Sequence, residues 1–506
     1  MTELIGQGFL TLFSQPSVIV IAILGVTIGI IIGALPGLTA TMGVALLLPL
    51  TFGMEPISGL LLLSGVYFGG VYGGAIPAIL LRTPGTPASA ATTLDGYALT
   101  QKGMGGKALS IATISAFTGG FISIIILMFL SPVLSNFALK FSAPESFALA
   151  VFGLSIVASI SGGSLIKGLI AGVIGLLIAT IGLDPIQGFP RFTGGNSNIM
   201  NGIPFIPVMI GLFAASEAFK SLEEINIVQK MTMKIKGIGV TKKDFKTVGP
   251  TVLRSTGVGT AIGIIPGAGG DIAAFVAYNE AKRFNKDKEG FGKGKLEGVA
   301  AAESAGNACT GGAFVPLLTL GIPGDSVTAV MLGALMVQGI QPGPMLFQNN
   351  GNLIYTLFSG MLLCYIAMLI IGLFMARYFA KVVEIPKAIL TPAILMLCVV
   401  GSYAINNNVF DIIIMIIAGI IGYYMQKFDF PASPIVLALI LGPMAEGQFR
   451  RALSLSNGSF DIFYTRPITA VLLTLAILTF FLPVIKSILG MWKKRNDSIN
   501  NNRRSA

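Results

Sequence analysis

The stretch GALPGLT at residues 33–39 interrupts a long apolar run with a Pro-Gly pair, and GIIPGAG at 263–269 interrupts a second run in the same way. We call these break 1 and break 3. Pro36 and Pro266 are 230 residues apart. Lipid offers no hydrogen-bond partners to a backbone, so a broken helix persists in a membrane only where it lines a cavity or is buried in protein. The breaks therefore indicate a membrane protein with interrupted helices.

Two further Pro-Gly pairs follow the same pattern. RTPGTP at 82–87 (break 2) matches GIPGDS at 321–326 (break 4), and Pro84 lies 239 residues before Pro323. Interrupted apolar segments at corresponding positions of two halves are the sequence feature that best indicates the binding site of a secondary transporter.

The composition agrees with a chain that lies mostly in a bilayer. Of 506 residues, 54% are hydrophobic and 11% are charged, and the mean hydropathy is +0.83. Since a spanning helix needs about 20 apolar residues, we expect an all-α polytopic membrane protein with roughly 10 to 13 crossings. The apolar segments lie near 17–35, 57–81, 108–130, 147–160, 165–183, 203–219, 250–265, 299–321, 353–376, 388–404, 409–426 and 467–489.

The basic residues are unevenly distributed. The net charge is +11, no Lys or Arg precedes Arg82, and basic residues gather at 220–254, at 282–295 and in the C-terminal tail. The positive-inside rule predicts that these regions, including the C-terminus, are cytoplasmic. The basic clusters flank apolar segments and lack interleaved aromatic residues, so nucleic-acid binding is not expected.

The sequence lacks the residues that several kinds of chemistry require. The chain has no histidine, and its three cysteines lie in apolar segments without metal-binding spacing. No complete phosphate-binding P-loop sequence occurs. We therefore expect no enzymatic activity, metal site or cofactor.

The repeat divides the chain into two halves, for which we expect opposite orientations in the membrane. The loop at 50–57 carries one charge, whereas its counterpart at 282–297 is rich in Lys and Arg. Opposite charge character at equivalent loops favours inverted repeats. The predicted domains are a first transmembrane repeat at 1–219, a basic cytoplasmic linker at 220–249, a second repeat at 250–449, and a terminal span with a basic tail at 450–506.

Each break leads into Thr, Ser or Asp and then apolar residues, which is the pattern of a helix start. A helix N-terminus carries about half a positive charge and free N–H groups, so converging N-termini can bind a carboxylate without Arg or Lys. Ordinary helix capping is the alternative explanation. The candidate substrate-binding residues are Thr39, Thr41, Pro84, Gly85, Thr86, Ser89, Gly267, Gly269, Gly270, Asp271, Pro323, Gly324, Asp325 and Ser326.

A polar group lies in the small-residue helix before break 4. Glu303 and Asn307 are four residues apart and share a helix face, with Thr310 nearby. Polar groups inside a membrane are expensive and usually functional, so these residues and Asp95 are candidates for a coupling ion, either Na⁺ or H⁺. For Glu303 the alternatives are an interhelical hydrogen bond or an interfacial position near the 282–297 loop. For Asp95 the alternative is a turn-forming Asp-Gly pair.

These motifs together resemble a known family. GALPGLTATMGVALLLP (33–49), LRTPGTPASAATTLDGYALTQKG (81–103), IIPGAGGDIAAF (264–275) and ESAGNACTGGAFVPLLTLGIPGDSVTAVMLGALMVQGIQPGP (303–344) resemble the large membrane subunit of tripartite tricarboxylate transporters. The resemblance covers most of residues 15–450.

The resemblance implies import of a small carboxylate such as citrate across the bacterial inner membrane, driven by an ion gradient. It also implies two partners, a small four-span membrane subunit and an extracytoplasmic solute-binding protein. By analogy, the breaks would be re-entrant hairpins of an elevator-like transporter. A passive anion channel and the permease of an ATP-driven importer remain alternatives, and the sequence does not name the carboxylate.

Overall fold

The computed structural model describes residues 2–35, 37–160, 165–184, 188–223, 239–382 and 387–480. Pro36, half of the predicted linker (224–238), the end of the predicted terminal span and the basic tail lie outside the described residues. The first eleven helices are α1 (Thr2–Ser14), α2 (Pro16–Ala34), α3 (Ala40–Leu47), α4 (Pro56–Gly73), α5 (Ala75–Leu81), α6 (Ala90–Gln101), α7 (Gly105–Ala138), α8 (Ala143–Ile160), α9 (Leu165–Ala179), α10 (Phe205–Met209) and α11 (Ser216–Glu223).

The second half of the chain is also helical. Its helices are α12 (Lys242–Ile264), α13 (Gly269–Phe284), α14 (Leu296–Leu320), α15 (Ser326–Val337), α16 (Leu346–Asn349), α17 (Gly351–Val382), α18 (Lys387–Asn406), α19 (Val409–Lys427), α20 (Ser433–Leu455), α21 (Ile462–Thr465) and α22 (Pro467–Phe480).

The prediction of a helical, multi-pass membrane protein is confirmed. Within the described residues, strands are confined to β1 (Gly182–Leu183) and β2 (Pro190–Arg191), which pair antiparallel. In the part of the chain that the structure describes, seven helices are long and apolar enough to cross a membrane, and five shorter apolar helices accompany them. The seven are Pro16–Ala34, Pro56–Leu81, Gly105–Ala138, Phe205–Glu223, Gly351–Met375, Ala388–Asn406 and Val409–Lys427.

The helices end at the predicted breaks, and matched breaks share a backbone conformation. At breaks 1 and 3, Leu35 and Ile265 are extended, with φ/ψ of −83°/116° and −79°/113°. At breaks 2 and 4, Arg82 and Gly321 are left-handed, with φ of 63° and 72°. The two halves therefore interrupt their helices in the same way.

Glycines set the helix packing equally in both halves. A Cβ built on Gly33 of α2 would lie 2.1 Å from the carbonyl oxygen of Gly70 on α4. A Cβ on Gly263 of α12 would lie 2.4 Å from the carbonyl oxygen of Cys309 on α14. Only glycine permits this approach, and small residues at helix interfaces are typical of membrane proteins.

The described helices pack as two units that cut across the predicted halves. The first unit is Met1–Leu139 with Ile206–Tyr423, and the second is Lys140–Phe205 with Tyr424–Ala506. In the first unit, the 205–223 segment of the first half packs on α18 and α19 of the second. In the second unit, α20 of the second half packs on α8 and α9 of the first. The last helix of each predicted half therefore packs on helices of the other half, which we call the exchange of these helices.

An ion-pair cluster lies in the second unit. The guanidinium of Arg191, at the end of β2, donates to both carboxylate oxygens of Glu446 on α20, at 2.7 and 3.1 Å. Arg450 lies 2.9 Å from Asp184, whose side chain is buried. These pairs fix the short hairpin on α20.

Candidate functional site

In each half the two breaks pack against one another. A Cβ built on Gly85 would lie 2.0 Å from the carbonyl oxygen of Gly33, and one on Gly324 would lie 2.8 Å from that of Gly263. The Gly267 N–H donates to the Gly324 carbonyl oxygen at 2.7 Å. Glycine at these positions is therefore required for the breaks to meet.

Three breaks lead into capped helix starts. Thr39 caps α3 by accepting a hydrogen bond from the Met42 N–H at 3.2 Å. Asp325 caps α15 by accepting one from the Thr328 N–H at 2.8 Å. The Thr86 N–H donates to the Ser89 hydroxyl at 3.2 Å, at a 3₁₀ turn that leads into α6. Capping, the alternative explanation, therefore accounts for these side-chain contacts.

Break 3 differs from the other three. Helix α13 starts at Gly269, its N-cap position is Ala268, and that residue makes no side-chain capping bond. Asp271 lies in the first turn with an exposed side chain. The N-terminus of α13 therefore lacks a side-chain cap of its own.

Break 2 of the first half meets break 3 of the second half on α14. A Cβ built on Gly270 would lie 3.3 Å from the Gly306 carbonyl oxygen and 3.5 Å from the Ala88 Cβ. A Cβ on Gly306 would lie 3.6 Å from the Ala88 Cβ. We call this meeting point of Ala88, Gly270 and Gly306 the Gly306 cradle.

Gly306 was not among the residues predicted from the sequence. It lies inside a run of small residues, AAESAGNA at 301–308, which equally indicates close helix packing. The repeat interval is the available signal. Breaks 2 and 4 are 239 residues apart, and the residue 239 positions before Gly306 is Tyr67, not a glycine.

Tyr67 on α4 contacts break 4. Its ring is fully buried against Phe314, with centroids 6.1 Å apart, and its hydroxyl donates a hydrogen bond to the Asp325 carboxylate at break 4. Helix α15, which starts at break 4, also packs on α3, which follows break 1. The breaks thus pair across the halves: break 2 with break 3, and break 4 with break 1.

The remaining predicted residues occupy the expected positions along the breaks. Thr41 and Ser326 lie half-buried in the first turns of α3 and α15. Pro84 is exposed, Pro323 is buried, and Gly269 has a φ of +69°.

Buried charge in the described residues is entirely acidic. None of the Lys and Arg residues that the structure describes is buried. A helix N-terminus such as that of α13 is therefore the kind of positive group available inside the fold. The buried acidic residues are Asp95, Glu145, Asp184, Asp244, Glu297, Glu303 and Asp411.

Glu303 and Asn307 lie on one face of α14, as predicted. Glu303 is 3% exposed and accepts a hydrogen bond from the Thr92 hydroxyl at 2.5 Å. The Asn307 amide nitrogen donates to the Glu303 backbone carbonyl at 3.0 Å, while its Oδ1 is buried and has no hydrogen-bond partner among the described residues. The Thr310 hydroxyl contacts the Tyr365 hydroxyl at 2.6 Å. An unpartnered buried oxygen of this kind is rare and suited to a cation or a donor.

Asp95 has a different environment. It lies inside α6, so the turn alternative is wrong. Its Oδ1 accepts hydrogen bonds from the N–H groups of Gly292, Gly294 and Lys295 at 2.7 to 2.9 Å. Its Oδ2 accepts one from the Tyr278 hydroxyl at 2.8 Å. Asp95 therefore anchors the basic loop between α13 and α14, and its role in ion binding stays a prediction.

The chain matches one family model and two curated relatives. The model of the tripartite tricarboxylate transporter TctA family matches residues 19–437. An uncharacterized 52.8 kDa protein of Agrobacterium vitis, in the TAR-I ttuC' 3' region, is 38% identical over 481 residues, which are 95% of this chain and 96% of that protein. An uncharacterized protein in the TAR-II ttuC' 3' region of the same organism is 38% identical over 230 residues, 46% of this chain and 95% of that protein. No solved structure matches.

Proposed function

The chain belongs to the tripartite tricarboxylate transporter TctA family, and from this premise we propose that it is the large membrane subunit of an importer of small tri- or dicarboxylates such as citrate. It acts in the bacterial inner membrane with a small four-span subunit and an extracytoplasmic solute-binding protein. An ion gradient drives the import, so the chain is a secondary transporter and not an enzyme.

The observation that carries the proposal is the Gly306 cradle. There the N-terminus of α13, without a side-chain cap, meets the turn that leads into α6, and a hydrogen atom replaces the side chain at Gly306. The backbone N–H groups of Gly267 and Ala268 already donate to Gly324 and Ile265. The N–H groups of Gly269 and Gly270, in the first turn of α13, would therefore hold a substrate carboxylate. This arrangement suits an anion in a fold whose described buried charges are acidic.

Two observations support movement of a substrate-bearing domain built from inverted repeats. The breaks of the two halves share their conformations, and the glycine contacts of α2 with α4 match those of α12 with α14. Opposite loop charges support the inversion. The breaks would then move together with the bound substrate.

Ion coupling is supported by two polar residues of α14 that flank Gly306. Glu303 is a buried carboxyl and Asn307 carries an unpartnered buried oxygen. A passive channel has no need of such groups, which are costly to bury.

The test is uptake by proteoliposomes that contain this chain, its small subunit and its binding protein, with labelled mono-, di- and tricarboxylates. We expect accumulation of a di- or tricarboxylate above its external concentration, without ATP. Equilibration without accumulation would instead indicate a channel, and a requirement for ATP would indicate an ATP-driven permease.

A further inference from the structure

Glu303 is isolated from compensating charge. Its side chain is 3% exposed, and its one hydrogen-bond partner within the described residues is the neutral hydroxyl of Thr92. No Lys or Arg of the described chain lies within 4 Å of it, although other buried acids such as Asp184 have such a partner. An ionised carboxylate without a cation is unfavourable in a protein interior, whereas a protonated carboxyl is tolerated there.

The neighbouring titratable groups do not supply that cation. Tyr72 on α4 lies within electrostatic range of Glu303, but its hydroxyl bonds the Thr113 hydroxyl at 2.7 Å. Other titratable groups on the elements around α14 have partners of their own or lie at the surface. They are Asp95 with Tyr278, Tyr67 with Asp325, Lys107 with Asp244, Tyr365 with Thr310, and the exposed Asp271 and Arg254. The Cys309 thiol on α14 itself is buried and carries no positive charge.

The hydrogen bond of Glu303 connects α14 with α6, the helix that follows the Ala88 turn of the cradle. Thr92 lies in the first turn of α6, directly after break 2, and Glu303 lies three residues before Gly306 on α14. An ionised Glu303 would hold Thr92 more strongly than a protonated one, because hydrogen bonds to a charged acceptor are stronger. The charge of this carboxyl therefore bears directly on the packing of α6 against α14.

We propose that Glu303 is the proton-carrying residue of this transporter, so that the coupling ion is H⁺. The inference rests on the proposed function. One proton binds the Glu303 carboxylate as a substrate anion enters the cradle, and it leaves to the cytoplasm after the substrate is released; no other bond forms or breaks. Since an ionised Glu303 would repel a carboxylate one helical turn away, protonation favours substrate binding on the order of tenfold.

The test compares Glu303→Gln with the wild type and with Glu297→Gln in proteoliposomes that hold the complete complex. Glu297 lies in the first turn of the same helix and accepts a hydrogen bond from Asn285, so it is a matched control. Two quantities are measured with labelled citrate: accumulation driven by a pH gradient, with an internal pH dye, and exchange against internal citrate at equal pH.

We expect the wild type and Glu297→Gln to accumulate citrate and to carry protons inward. Glu303→Gln keeps exchange within a fewfold of wild type and loses both pH-driven accumulation and proton movement. Retained proton-coupled accumulation in Glu303→Gln overturns the inference, and so does wild-type accumulation driven by a Na⁺ gradient without proton movement. Loss of exchange together with accumulation would make Glu303 a structural or substrate contact and also overturns it. A wild-type complex that neither accumulates nor exchanges any carboxylate refutes the proposed function, and the inference falls with it.

Discussion

Tyr67 and Gly306 occupy matching positions on α4 and α14, 239 residues apart, yet one carries a buried aromatic ring and the other has no side chain. The same interval separates the prolines of breaks 2 and 4. Two halves built on one pattern therefore differ at the point where breaks from opposite halves meet. The difference confines the proposed substrate cradle to α14.

Gly306→Ala should weaken binding at the proposed site while leaving the stability of the fold nearly unchanged. A Cβ there would lie 3.6 Å from the Ala88 Cβ and 3.9 Å from the Gly270 oxygen, which are ordinary contacts, so we expect the unfolding temperature to stay within a few degrees of wild type. The added methyl group fills the cradle and should weaken citrate binding about tenfold or more. Thermal unfolding and citrate titration of the purified complex measure both effects. Gly257→Ala, where no atom lies within 4 Å, is the control, and unchanged binding in Gly306→Ala would exclude the cradle.

Gly324→Ala should damage the fold itself. The new Cβ would lie 2.5 Å from the Ala313 Cα and 2.8 Å from the Gly263 oxygen, both backbone atoms that cannot move aside. Overpacking of this kind costs about 1–3 kcal/mol. Thermal unfolding of the detergent-purified chain should show a clear decrease, while Gly6→Ala, with no atom within 4 Å, remains close to wild type. Equal unfolding temperatures for the two variants would contradict the close packing of breaks 3 and 4.

Tyr67→Phe removes one hydrogen bond and keeps the buried ring. The Asp325 carboxylate loses the Tyr67 hydroxyl, and hydrogen bonds to charged groups contribute about 1.5–3 kcal/mol. Tyr72→Phe loses a bond between two hydroxyls, to Thr113, so it should cost about 0.5–1.5 kcal/mol. The comparison of unfolding temperatures should place Tyr67→Phe below Tyr72→Phe. The reverse order would mean that the Tyr67 bond contributes little.

Asp95→Asn should release the basic loop between α13 and α14. The carboxylate oxygen accepts three backbone N–H groups of that loop, and an amide oxygen binds them less strongly. Hydrogen–deuterium exchange should accelerate at Gly292, Gly294 and Lys295. Glu289→Gln, an exposed change in the same loop, should leave the exchange unaltered. Unchanged protection in Asp95→Asn would show that other contacts hold the loop.

The stability that Asp244 contributes in the first turn of α12 should decrease at acid pH. Burial alone would raise the pKa of Asp244, but hydrogen bonds from Lys107 and Thr241 outweigh it and lower the pKa to about 2, from an ordinary value of 3.8. A pKa that is lower in the folded state stabilises the fold above about pH 4, and this contribution is lost as the pH falls towards 2. Thermal unfolding between pH 5 and pH 2 should therefore depend less on pH in Asp244→Asn than in wild type. The exposed Asp429→Asn should keep the wild-type pH profile, and a wild-type profile in Asp244→Asn would refute the assignment.

The sequence predicts features whose cause is local. Pro-Gly pairs end the helices at the four breaks, and Thr39 and Asp325 cap the helices that follow, because turn and cap preferences depend on neighbouring residues. The shared helix face of Glu303 and Asn307 follows from helical spacing alone.

Features that depend on distant partners could not be predicted in this way. Asp95 is held by a loop almost 200 residues later, which no local pattern shows. Gly306 resembles the many glycines that serve helix packing, and its importance follows from which breaks meet there. The exchange of α20 onto α8 and α9 likewise depends on tertiary packing rather than on repeat length.

That exchange has a consequence for biosynthesis. About 250 residues separate the end of α9 from the start of α20, which completes their packing. At translation rates of about 5–20 residues per second, α8 and α9 wait on the order of tens of seconds for that partner. During this interval the nascent chain exposes an unfinished helix surface to the insertion machinery, to chaperones and to membrane proteases. The yield of this protein in a cell is therefore sensitive to pauses in translation between residues 180 and 433.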